Sequence, residues 1–457
     1  MASETTTSWD PPSALLPKLK YVLLAVGPMA ILMSASMGPG SISSLVIAGS
    51  ELGYTAVWLA AISGWLAAAV YYVGAKVCTL TDETPVEVVN RYTHPVVSFV
   101  LFIGLLYVWY FVVAIEGHLL AATTEALIPA LAPYIVPVVL LQIAVIAVIF
   151  AGGFDVVKGV LSALVVFLAA VFLINAFYIG PEPSAVAGGL VPTLLEAGVG
   201  EIGFAGIVGG SIGVGPIWYA YIAKDNGWGR DSLKFMASDQ VVFYGILFSI
   251  FSIGIYVSAA ATLQGVTVAD GVDAAHAIEP IAGPLAALLF TVGLWAAVFT
   301  TLGGMAAVGA YLVGDLINNL PVVEMEIELS LDNRIIKGLT IIGIVLGSVG
   351  LFLRGPPPLP FMAYGVGLLT IVAPITIFVF TLATVRPTDV GEFTGPWYLV
   401  VGLTVAFLVS LYAAYLTGLH WVLVSVVVIL GVVLNTLYHE WRKTDRLTPT
   451  GRLDLDD

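Results

Sequence analysis

Long apolar runs separated by short polar breaks fill this chain from about residue 21 to residue 440. A helix that crosses a bilayer needs about 20 predominantly apolar residues. Twelve stretches meet that need: 21–50, 54–77, 96–124, 132–152, 156–179, 200–223, 239–263, 280–313, 335–353, 359–385, 396–418 and 420–440. Turn-forming segments divide them, such as Asp82-Glu83-Thr84-Pro85 and Gly180-Pro181-Glu182-Pro183-Ser184. The longest polar connection, 318–337, holds Glu324, Glu326, Glu328 and Asp332. The pattern predicts an all-α integral membrane protein.

Two of the runs are interrupted from within. The first carries Ser36-Met37-Gly38-Pro39-Gly40-Ser41, and the sixth carries Gly213-Val214-Gly215-Pro216-Ile217-Trp218. Proline removes a backbone donor and clashes with the preceding turn, while glycine lifts the steric barrier to unwinding. Unpaired backbone inside a bilayer is tolerated only where it lines protein or a water-filled cavity. Spans one to five and six to ten each begin with such a break. Five is odd, so the second set enters the membrane inverted. This predicts two inverted repeats, 21–180 and 200–385, with the substrate between the broken helices near the midplane. Residues 386–441 are then two peripheral helices, with tails at 1–20 and 442–457.

Composition agrees with a membrane location. Of 457 residues, 59% are apolar and only 10% charged, where a soluble domain carries about 25% charged; the mean hydropathy is +1.03. With both termini in the cytoplasm, fifteen of the sixteen lysines and arginines fall on the cytoplasmic side, and only Arg354 lies outside. That asymmetry predicts a multi-pass protein of the cell membrane in this orientation. Residues 1–17 lack the apolar core of a signal peptide. The net charge of −14 suits a salty cytoplasm that screens surface carboxylates. Cys78, alone of its kind, allows no internal disulfide and reads as a small buried residue.

The chemistry on offer is sparse. At the breaks, Gly38, Pro39, Gly40 and Ser41, with Gly213, Gly215 and Pro216, are candidate substrate contacts. The carbonyls of Gly38 and Gly213 are the cation-ligand candidates. Ser41, Ser43 and Ser44 add hydroxyls, and Trp218, Tyr219 and Tyr221 add rings that hold an organic cation or simply pack. Glu116 is a carboxylate inside an apolar stretch, a costly placement that marks an ion or proton pathway. His118 stands two residues away, toward the opposite helix face. Asp239 reads as structural, favoured by the dipole at the start of span seven. Thr300 and Thr301 either face the cavity or serve helix contacts. No P-loop, nucleophile elbow or His/Cys cluster is present. The expectation is no enzyme, no cofactor and no nucleic-acid partner.

The stretch Gly27-Pro28 … Ser34-Ala35-Ser36-Met37-Gly38-Pro39-Gly40-Ser41 … Ala48-Gly49-Ser50-Glu51-Leu52-Gly53-Tyr54 … Trp58 resembles the first span of the natural resistance-associated macrophage protein (Nramp) family of proton-coupled divalent metal transporters. A second likeness is Leu285-Ala286-Ala287-Leu288-Leu289-Phe290 … Gly293-Leu294-Trp295-Ala296-Ala297. The resemblance spans roughly residues 20–420. It implies the LeuT-type 5+5 inverted-repeat fold, alternating access, and Glu116 as a counterpart of an acidic residue on the family's third span. The departures fall on the ligands. The family's Asp-Pro-Gly-Asn is Gly38-Pro39-Gly40-Ser41 here, and its Met-Pro-His is Gly215-Pro216-Ile217. The carboxylate, asparagine, thioether and imidazole are missing, which argues against tight Mn²⁺ or Fe²⁺ binding and for a partly hydrated ion such as Mg²⁺. Open beside a metal carrier, coupled to H⁺ or Na⁺, are a carrier of small organic solutes and a passive channel or non-transporting sensor.

Overall fold

The computed structural model describes residues 27–193, 200–213, 215–268, 271–320, 326–352, 365 and 367–447. Residues 21–26 of the first predicted span, 359–364 and 366 of the tenth, Val214, Glu324, Arg354 and residues 1–20 and 448–457 lie outside them. Among the described residues every regular element is helical.

The first predicted span is two half-helices, α1 (Met29–Ser36) and α2 (Pro39–Leu52). Then follow α3 (Val57–Thr81), α4 (Pro85–Tyr92), α5 (Pro95–Leu127), α6 (Ile135–Ala151) and α7 (Phe154–Ile179). The sixth span is again two pieces, α8 (Glu201–Ser211) and α9 (Trp218–Asp225). It is followed by α10 (Arg230–Thr262), α11 (Gly271–Ala282), α12 (Pro284–Asn318), α13 (Arg334–Phe352), α14 (Ala373–Val385), α15 (Trp397–Thr417) and α16 (Leu419–Leu447). Nine helical stretches among the described residues are long and apolar enough to cross a membrane. The broken helices and the short α14 complete the repeats.

Local chemistry sets the boundaries. Pro39, Pro85, Pro95 and Pro284 each open a helix at its first position, where the missing N–H has no partner to lose. Thr84 and Glu87 close a capping box on α4. The eighth span starts at Pro284 rather than at residue 280, because Gly283 adopts φ +84° and separates α11 from α12. Within α10, residues 241–248 wind as a π-helix, a geometry frequent at functional sites.

The core is assembled around the breaks. Half-helix α2 packs against α8 and α10, and α1 against α7 and α12. The α2–α8 approach is close enough that a Cβ on Gly203 would meet the Ala48 nitrogen at 2.6 Å. Absence of side chains, rather than hydrophobic drive, lets helices meet inside lipid. Outward faces stay apolar, with Tyr107, Val148, Phe177 and Val427 exposed, as a bilayer solvent requires.

Candidate functional site: a carboxylate in the cavity between two broken helices

At the first break the chain leaves α1 through Met37 and turns extended at Gly38 (φ −83°, ψ 176°). The carbonyl of Ala35 faces Pro39 four residues on, which has no N–H to give it. Ser41 donates across the break to the Ser36 carbonyl at 2.6 Å. Ser43 and Ser44 donate back to Pro39 and Gly40, and Tyr244 on α10 donates to the Ser36 hydroxyl. At the second break, Gly215 takes φ +64° and its N–H reaches the Ile212 carbonyl at 2.8 Å. Tyr71 on α3 donates to the Ser211 carbonyl, its ring edge-on to Tyr244 at 4.8 Å. Each repeat thus lends a tyrosine to the other repeat's break. Gly215→Ala is expected to cost about 1–3 kcal/mol of backbone strain. Its Cβ would also lie 2.3 Å from the Thr376 hydroxyl. A falling melting temperature in detergent checks this.

A small cavity lies between the breaks, with about 20 Å³ open to the centre of a water molecule, room for about one or two waters. Ala35, Ser36, Gly38, Gly40 and Ser41 line it from the first span, and Gly209 and Gly210 from α8. Trp109, Val112 and Glu116, at helical spacing on α5, form another wall. Thr301 and Met305 of α12, with Leu369, complete it. Glu116 is fully buried, and neither of its carboxylate oxygens has a hydrogen-bond partner. A buried carboxylate without a protein partner is costly, and this one faces a cavity that admits water or an ion.

The other sequence candidates fall elsewhere. Pro39 opens α2 behind the lining residues. Gly213, Gly215 and Pro216 shape the second break, but the lining there comes from Gly209 and Gly210. Trp218 is buried and stacks on Trp109 at 4.9 Å, outside the lining. His118 is half-buried on α5 and off the cavity wall. Thr301 lines the cavity, whereas Thr300 turns its hydroxyl to the Ala297 carbonyl. Among the described residues no group of three or more His, Cys, Asp or Glu could hold a metal. The lining offers an ion one carboxylate, Glu116, with the side chains of Ser36, Ser41, Thr301 and Met305 beside it.

Below α9, tyrosines and aspartates fasten the structure. Asp239 accepts from the Gly27 and Met29 N–H groups, both at 2.9 Å, and from the Tyr219 hydroxyl at 2.7 Å. It therefore caps the start of α1, not that of its own helix. Tyr221 donates to buried Asp315, which also accepts the Val86 N–H of α4. Reciprocally, Tyr311 of α12 donates to Asp225, and the two tyrosine rings stack 5.8 Å apart. None of the ion pairs among the described residues includes these aspartates. Sequence reading missed this set, because phenol–carboxylate pairs between distant helices leave no local motif.

Two helices broken at matched places, each repeat bracing the other, define a membrane protein of the LeuT-type inverted-repeat fold. The whole chain superimposes on solved carriers. A manganese transporter of Eremococcus coleocola, solved with an aromatic bis-isothiourea compound, covers 98% of this chain and 99% of its own, with TM-score 0.66 at 16% identity. Mhp1, a nucleobase-cation-symport-1 family transporter, covers 89% and 92% with TM-score 0.50 at 16% identity. At the sequence level, the divalent metal cation transporter MntH of Deinococcus radiodurans is 23% identical over 330 residues, 65% of this chain and 69% of that one. Residues 29–419 match the family described as natural resistance-associated macrophage protein-like. The chain belongs to the Nramp family.

Proposed function

We propose that this protein is a secondary-active carrier of a divalent metal cation that works by alternating access, with the cavity at Glu116 as its binding site. The observation that carries this reading is the buried Glu116 carboxylate without a partner, facing the gap between the breaks. A cavity of about 20 Å³ suits an ion with little water and favours a cation over an organic solute. One carboxylate offsets one of two charges. Mn²⁺ and Fe²⁺ therefore bind weakly, on the order of millimolar or about 4 kcal/mol.

A proton and the ion exclude each other at Glu116. Ion binding releases a proton, affinity climbs with pH, and H⁺ is the coupling ion. The Asp239, Asp315 and Asp225 pairs hold α9 and the start of α1 closed on the cytoplasmic side. Uptake of Mg²⁺ or Mn²⁺ into proteoliposomes under an imposed pH gradient tests the reading. Uptake that ignores pH and follows Na⁺ would move the coupling to sodium; exchange of no dication at all would return the protein to the sensor or organic-solute classes.

The orientation proposed with it places both termini in the cytoplasm. In a Cys78→Ser background, a cysteine replacing exposed Ala187 is labelled by an impermeant maleimide in intact cells, and one replacing exposed Asp231 is shielded. The reverse pattern inverts the topology.

A further inference from the structure

Gly38 has a backbone conformation that any residue adopts, with φ −83° and ψ 176°, so glycine is not required there by strain. What excludes a side chain is Thr301. A Cβ built on Gly38 would lie 2.6 Å from the Thr301 Oγ1 and 2.7 Å from its Cγ2, separations that real Cβ atoms do not tolerate. Thr301 itself has little freedom to retreat. It is 1% exposed, and its hydroxyl donates to the Ser34 carbonyl at 3.0 Å, tying α12 to the last turn of α1. Both residues line the same cavity.

We propose that Thr301 is the specificity-determining residue of this cavity: its side chain fills the place into which a residue-38 side chain would project. This rests on the reading of the cavity as a cation site. The first break is thereby confined to main-chain oxygens and the hydroxyls of Ser36 and Ser41, and Glu116 remains the cavity's single carboxylate. An ion that must shed its water to bind needs more negative charge than that. By leaving no room for a carboxylate at residue 38, the α12 side chain keeps the cavity short of the charge such ions need.

The test compares the unmodified protein with Gly38→Asp, Thr301→Ala and the double variant, by melting and by calorimetric titration with MnCl₂. Gly38→Asp alone is expected to melt lower and gain no Mn²⁺ affinity. The double variant, with 3.1 Å left to the residue-301 Cβ, is expected to melt above Gly38→Asp and bind Mn²⁺ about tenfold tighter or more than the unmodified protein. Should the aspartate variants not fold, Gly38→Ala, Thr301→Ala and their double read the same contact by melting alone. A cost of Gly38→Ala that Thr301→Ala relieves is the result expected. Additive effects in that cycle would overturn the proposal. So would Gly38→Asp alone tightening Mn²⁺ as much as the double, or a folded double that gains nothing. If the unmodified protein binds no dication while the double does, the transport reading fails and the role of Thr301 stands.

Discussion

Glu116→Gln is expected to abolish measurable dication binding and uptake while leaving the melting temperature within a few degrees of the unmodified protein. Glutamine keeps the shape and removes the charge. Truncating one member of a buried charged pair costs about 2–5 kcal/mol, which is roughly 30- to 4,000-fold in affinity. A site that starts near millimolar then falls below detection. The fold does not depend on the charge, because neither carboxylate oxygen makes a hydrogen bond that glutamine would lose. The pH dependence should vanish with the affinity, since both are assigned to one group. Calorimetry at two pH values, paired with thermal melting, separates this from misfolding. A Glu116→Gln protein that binds and transports with an unchanged pH profile would return the carboxylate to a packing role.

Asp239→Ala should open the protein toward the cytoplasm. The substitution leaves two backbone N–H groups of α1 and the Tyr219 hydroxyl without their acceptor. Each buried donor left unpaired costs about 1–3 kcal/mol, so the closed arrangement loses about 3 kcal/mol or more, over 100-fold in population. A conformation in which α1 and α9 swing into water escapes that cost. The native Cys78 reports the change without any added cysteine. It is buried, yet it borders a hollow, on the side proposed as cytoplasmic, lined also by Tyr221 and Lys224 of α9. Maleimide labelling of Cys78 from the cytoplasmic face should accelerate strongly in Asp239→Ala and modestly in Tyr219→Phe, which removes one hydrogen bond. Unchanged labelling with a lowered melting temperature would make Asp239 a structural cap and nothing more.

Much of this architecture is written in the chain. Apolar run length places the spans, and Gly38-Pro39-Gly40 and Gly215-Pro216 place the breaks, because those residues act through covalent geometry that needs no partner. Glu116 was visible as a carboxylate where lipid should be. Its neighbours were not. Trp109, Thr301 and Met305 are ordinary in sequence, and they meet the breaks only once α5 and α12 pack together. Of the serines at the first break, Ser41 lines the cavity with its proton given to the Ser36 carbonyl and its lone pairs open, whereas Ser43 and Ser44 donate within α2 and lie off the lining. Trp218 and Tyr219 follow the break in sequence but turn away, one onto Trp109 and the other onto Asp239. Asp239 shows the same limit: its local position suggests its own helix, whereas the N–H groups it serves are 210 and 212 residues away.

The most direct test of the central claim is anomalous diffraction from crystals soaked in MnCl₂. A peak between the breaks, within about 2.0–2.6 Å of a Glu116 oxygen as hard cations sit from carboxylates, is the predicted result. A peak confined to the hollow beside Asp82 and Glu83, with the Glu116 cavity empty at saturating metal, would contradict it.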